Sequence, residues 1–227
     1  MRMSTETLEK QLHALASEAK ITDALSGYIH AQVFPLYSEN DKGHQLDHIW
    51  YVIRRSLLFM EQFEALKPDM VYTIAAYHDV AHHIDKDNHE VLSAKVFEQD
   101  LEMKRFFTAE EIQIMKDAIE DHRASLEQPP RSIYGKIVSS ADRSTDIDAF
   151  FRRTHAYSLK HFPHYTQEQN RERCYQHMKE KYGNGGYAKS YVIDQDYTQF
   201  LQTIKELLAD KNAFVMRYNA ANGLEQV

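Results

Sequence analysis

Apolar residues return every three or four positions along most of this chain, and alternating strand-like runs are scarce. Ile49, Val52, Ile53, Leu57, Met60 and Phe63 form one such stripe and predict a helix over about 47–66. Lys67-Pro68-Asp69 ends it, because the residue before a proline avoids the helical region. Asp69 is then placed to cap a third helix through about residue 81. Upstream, an amphipathic stretch covers about 5–29, and Pro35 interrupts the segment after it. Asp87 with Glu90, and Thr108 with Glu111, read as capping boxes opening helices over about 88–102 and up to about 123. Beyond Gln128-Pro129-Pro130 the pattern predicts helices over about 132–142 and 147–161, with a break at Pro163. A polar helix over about 167–182 leads into Gly183-Asn184-Gly185-Gly186. A long last helix is expected over about 194–219, with Asn222-Gly223 as its end signal. The fold class is therefore all-α. One domain is expected over 1–227, with about 161–227 as appended C-terminal helices.

Composition narrows the classes. Apolar residues make up 43% and charged residues 27%, an ordinary balance for a globular protein. No run approaches the ~20 apolar residues of a membrane helix, so no membrane association is expected. The start, Met1 to Glu6, lacks an apolar targeting core, and the lone Cys174 excludes an internal disulfide. Both suit a cytoplasmic protein. A net charge of −7 gives no overall attraction for nucleic acid, so a phosphate ligand would need local cations or a metal.

The 13 histidines make metal binding more probable and chance motifs more frequent. Position separates the two. His78-Asp79 closes the apolar run 71–77, with His78 four residues after Ile74. His48 shares a face with Val52, and His89 with Leu92 and Val96. His122 continues the stripe Ile112, Met115, Ile119, and Asp142 follows Val138 by four. Polar groups on apolar stripes are costly unless satisfied. A single such histidine is more often a hydrogen-bonded core residue. Five such positions on five helices point instead to a shared divalent cation held by nitrogen and oxygen. The loop 181–189 is glycine-rich with flanking cations, yet it matches no phosphate-binding fingerprint and reads as an interhelical turn.

The order His48, His78-Asp79, Asp142, with Tyr77-His78-Asp79-Val80-Ala81-His82, resembles the HD-domain superfamily of metal-dependent phosphohydrolases over about residues 25–160. Asn88-His89-Glu90-Val91-Leu92-Ser93-Ala94 is similar to the family's His-Glu-x-x-Gly/Ser-Ala helix start. Ile119-Glu120-Asp121-His122 and Ala141-Asp142-Arg143 are similar to two further family segments. The resemblance implies an HD-type helical bundle, to which the more polar and aromatic chain from about Asp146 is expected to add an extra C-terminal helical layer. It implies a first metal held by His48, His78, Asp79 and Asp142, with His89 and His122 available for a second that Asp79 bridges. Two-metal members often carry another histidine after the position of His122. Arg123 stands there, so one ion is expected, with two as the alternative. Iron, manganese, cobalt, nickel and zinc all suit such ligands.

His82, three residues past Asp79, is the proton-transfer candidate, beside Asp79 and Asp142 as catalytic carboxylates. Lys86, Arg123, Arg143 and Lys189 are candidates for substrate phosphate. The resemblance implies hydrolysis of a small phosphorylated metabolite, a nucleotide foremost, as monoester or diester. A di-iron oxygenase and a catalytically inactive binding module are the alternatives. A homodimer is left open.

Overall fold

The computed structural model describes residues 4–41 and 43–225; Met1–Met3, part of the segment on which the targeting expectation rests, lie outside them. Among the described residues there are eleven α-helices and no strand. Among the described residues no helix is long and apolar enough to cross a membrane. The chain divides into two compact units, one comprising residues up to Asp142 together with Ser190–Ile193, the other Arg143–Lys189 and the chain from Asp194.

The first unit is built around α4 (Pro68–Tyr77), where every residue from Met70 to Tyr77 is buried. A helix apolar all round must be enclosed. The enclosing helices are α3 (Leu46–Met60), α5 (His89–Gln99), α6 (Ala109–Glu120) and α7 (Ile133–Ala141), all packed against it. The rest of this unit is α1 (Thr5–Glu18) and α2 (Asp23–Tyr28), followed by a π-helical turn, Ile29–Val33, and a 3-10 turn, Phe34–Glu39. Pro35 thus marks a change of helix type rather than an open loop.

Several expected boundaries move, each for an identifiable reason. The stretch 5–29 is two helices, because Lys20 adopts φ +57° and the chain turns before Thr22. Asp69 does not cap α4. Lys67 takes the cap position, and Asp69 accepts from Thr22 N at 2.9 Å and Thr22 Oγ1 at 2.7 Å, tying the start of α2 to α4. Helix α4 stops at Tyr77 rather than 81; beyond it the backbone tightens into i→i+3 bonds, Val80 N to Tyr77 O and His82 N to Asp79 O. The Asp87/Glu90 capping box is absent. Asn88 precedes α5 without a side-chain cap bond, Asp85 accepts from Asp87 N at 2.9 Å, and buried Glu90 turns to Arg123. The Thr108/Glu111 box is present in both of its bonds.

The second unit contains α8 (Ile147–His161), α9 (Gln167–Tyr182), α10 (Gln195–Ala209) and α11 (Lys211–Asn222) around Phe151, Cys174, Phe214 and Tyr218. The single last helix expected over 194–219 breaks at Asp210, whose carboxylate accepts from Asn212 N and Ala213 N and starts α11. Gly223, at φ +64°, closes α11 as its sequence signal indicated. The glycine-rich turn folds back on α9. A Cβ at Gly183 would lie 2.4 Å from Lys179 O, and one at Gly186 2.6 Å from Lys181 O, so backbone contact accounts for both glycines.

Asp100 fastens α5 to the centre of the first unit. It accepts from Tyr77 Oη at 2.5 Å and from Tyr28 Oη at 2.8 Å. A hydrogen bond to a charged acceptor contributes about 1.5–3 kcal/mol. Tyr77→Phe is therefore expected to lower unfolding free energy by about 2 kcal/mol in urea denaturation, and unchanged stability would show that Asp100 does not hold this junction.

Candidate metal centre

Each candidate ligand sits at a helix end. His48 is in the first turn of α3, and His89 opens α5. His78 is the C-terminal cap of α4 with Asp79 next to it; His122 follows the cap of α6; Asp142 caps α7. Helix C-termini leave carbonyls without partners. Two of these imidazoles use them, His78 Nδ1 donating to Ala75 O at 2.8 Å and His122 Nδ1 to Ile119 O at 2.7 Å. His89 Nδ1 donates to Lys86 O at 2.9 Å. A carbonyl only accepts, so Nδ1 carries the proton in all three rings, and each Nε2 turns a bare lone pair inward in the neutral form.

Those Nε2 atoms converge on Asp79. Its Oδ2 lies 3.5 Å from His48 Nε2 and 3.5 Å from His78 Nε2. Its Oδ1 lies 3.3 Å from His89 Nε2 and 3.4 Å from His122 Nε2. His48 Nε2 is also 3.2 Å from Asp142 Oδ1 and 3.2 Å from His78 Nε2. His89 and His122 bring their Nε2 atoms within 3.1 Å. Two half-sites result, His48–His78–Asp142 and Asp79–His89–His122, with Asp79 reaching both.

The donor set fits a divalent transition ion. It offers nitrogen and oxygen and no sulfur. Asp79 Oδ1 is buried with no hydrogen-bond partner, a costly state for a carboxylate oxygen unless a cation satisfies it. Paired imidazole lone pairs 3.1–3.2 Å apart repel unless a proton or a metal ion lies between them.

The protonation pattern follows the same logic. Burial works against charge on His48, but hydrogen bonds to Asp142 and Asp79 outweigh it and raise its pKa to about 10. Burial lowers His78 to about 4. In the other half, burial and then the neighbouring His122 lower His89. His122 is raised by Asp79 against its own burial. Both aspartates lie below the ordinary carboxylate range despite burial: His78 contributes most at Asp79, and His48 at Asp142. The His48 half-site therefore keeps a proton where a cation would otherwise supply the positive charge, and in the other half-site Asp79 favours the charged form of His122.

His82 lies outside both half-sites. It stacks on His44 at 3.7 Å between centroids, with Nδ1 4.0 Å from Asp41 Oδ2 and without a hydrogen-bond partner. Burial, then His44, lowers it to about 4, so it is neutral at pH 7. Sequence reasoning missed His44 and Asp41, which form a third His/Asp group with His82. The available signal was the spacing of His44 four residues before His48, but neither residue lies on an apolar stripe. Asn40 was missed as well. It is buried, and its side chain donates to Asp79 O at 2.9 Å and accepts from His83 N at 2.9 Å, locking the loop before α3 to the turn after α4.

Among the proposed phosphate ligands, Lys86 is exposed and donates to Asp41 Oδ2 at 2.9 Å. Arg123 donates to Asp87 O and Glu90. Arg143 and Lys189 belong to the second unit, where Arg143 Nε donates to Lys189 O at 3.1 Å.

A cation entering at His48 must displace its proton. Because that proton is held up to about pH 10, apparent affinity rises between about pH 6 and pH 9, by up to about tenfold per pH unit for one displaced proton. Titration calorimetry with manganese at several pH values checks this; pH-independent affinity would remove His48 from the ligand set.

Residues 46–145 match the family model of the HD domain. No curated protein and no solved structure matches the chain.

Proposed function

We infer that this chain, which belongs to the HD-domain superfamily through residues 46–145, is a hydrolase of small phosphate esters or anhydrides, with nucleotides foremost among its substrates. The observation that carries the reading is the placement of Asp79, one oxygen toward His48 and His78, the other toward His89 and His122. His48, His78, Asp142 and Asp79 Oδ2 would hold one divalent ion. His89, His122 and Asp79 Oδ1 support a second, although Arg123 stands where a further histidine is common in two-metal members. A divalent ion bound there supplies Lewis acidity toward a phosphoryl oxygen and lowers the pKa of water toward 7.

The chain's own groups then have separate tasks. The side chains of His48 and Asp142 are 18% and 22% exposed, whereas that of His78 is fully buried, so phosphate and water approach on the His48–Asp142 side. Asp142 orients the attacking water. His82, neutral near pH 7, accepts a proton from the attacking water and passes it to the leaving oxygen. Lys86 offers positive charge to a phosphate. Arg123, committed to Glu90, supports His89 through the 3.4 Å contact between Glu90 and His89 Nδ1.

A carboxylate between two histidine pairs also suits a di-iron centre that activates oxygen, the second reading. Oxygen-dependent turnover with two bound irons and no phosphate release would select it. Metal-loaded protein inactive in both assays would select the binding module.

Under the phosphohydrolase reading, protein purified without chelator releases phosphate from members of a nucleotide and phosphomonoester panel. His82→Ala is expected to lower kcat by about 10²-fold with metal content unchanged, and equal kcat would take His82 out of the mechanism. If the centre is dinuclear, His89→Ala and His122→Ala each halve the metal content found by elemental analysis; wild-type stoichiometry in both would leave a single ion at the other half-site.

A further inference from the structure

The π-helical turn Ile29–Val33 has no task in the metal centre. Such turns are rare, and they displace side chains from regular helical positions, often beside functional sites. This one presents His30 and Ala31 to a cavity of about 930 Å³ within the first unit. Small-molecule sites commonly span roughly 300–1,000 Å³. Leu8, Glu9 and His13 of α1 line a second wall, and the chain entering α3 lines a third. None of the six candidate metal ligands lines the cavity, so it is a different site.

Its chemistry is selective. His13 and His30 lie flat on one another, 3.6 Å between centroids and 15° from parallel, and Phe34 meets His30 edge-on at 4.7 Å. Burial and the nearby His13 hold His30 down to about 4, so its ring is neutral at pH 7. His30 Nε2 is buried with no hydrogen-bond partner. Glu9 adds negative charge, and among the described residues no lysine or arginine lines the cavity. An anion would meet a carboxylate without a compensating cation. A flat ring, by contrast, finds aromatic faces and edges to pack on.

We propose that this cavity binds a planar heteroaromatic ligand, uncharged or cationic, against the His13–His30 stack. Such a ligand occupies a site separate from the metal centre, and it reaches the first turn of α3, which carries His48.

The test uses the full chain and three probes that share one ring and differ in charge: indole, tryptamine and indole-3-acetate. Binding is followed by saturation-transfer NMR and calorimetry. Gly27 and Ala31 are exposed on the cavity wall, and a Cβ at Gly27 meets nothing within 4 Å. Gly27→Phe and Ala31→Trp therefore fill the cavity without entering the core. Indole and tryptamine are expected to bind, with indole-3-acetate at least about tenfold weaker, a difference of about 1.4 kcal/mol. Each filled variant is expected to weaken tryptamine at least about tenfold with unchanged metal content and melting temperature. Should a filled variant fail to fold, Glu9→Gln serves instead, and its expected result is a lower ratio of tryptamine to indole affinity. No detectable binding of any probe, equal affinity for the acetate, wild-type affinity in folded filled variants, or an unchanged ratio in Glu9→Gln would each overturn the proposal.

Discussion

A carboxylate almost sealed from water has to be answered by positive charge, and Asp79 is such a group at 3% exposure. Four imidazole nitrogens surround it within 3.5 Å. Burial opposes its charge, yet it stays ionised because its surroundings are arranged for it. The arrangement requires five helices to end within a few ångströms of one another. Helix ends suit the task, since their unpaired carbonyls take the Nδ1 protons and leave each Nε2 facing the carboxylate. The fully buried α4 supplies the fixed point, because its end carries His78 and Asp79 themselves.

Polar pairs outside the half-sites hold the less regular segments in place. Arg131 donates to Asp121 from its backbone and its Nε and also reaches Asp117 and Glu120, fastening the turn that carries His122. Asn40 does the same for the loop preceding His48. Arg123 pairs with buried Glu90, which pins the start of α5 and with it His89. The exposed Arg131 pairs are individually weak, whereas the Asn40 and Glu90 contacts are buried. Their effect is to limit the directions in which the clustered imidazoles swing.

The main helices and the clustering of the candidate ligands were legible because both depend on periodicity. His48, His78, His89, His122 and Asp142 could be placed on apolar stripes, and the structure gathers the four histidines around Asp79, with Asp142 beside His48. Boundaries set by distant partners were not legible. Asp69 read as a local cap, whereas its hydrogen bonds go to Thr22, 47 residues away in sequence. The end of α4 at Tyr77 was hidden because Val80 and Ala81 remain buried and extend the apolar pattern past the helix. Asp210 held a local capping signal, but apolar residues on both sides masked the break. Asp41 and His44 lie in a loop where periodicity carries no information, and only the folded chain sets them beside His82.

The central claim is that two half-sites share Asp79 around bound metal, and anomalous diffraction from crystals grown with manganese tests it most directly. The account predicts a peak among His48, His78 and Asp142, with a second among His89, His122 and the other oxygen of Asp79 if the centre is dinuclear. Crystals whose anomalous signal lies elsewhere, or that show none at these residues under saturating metal, would contradict it.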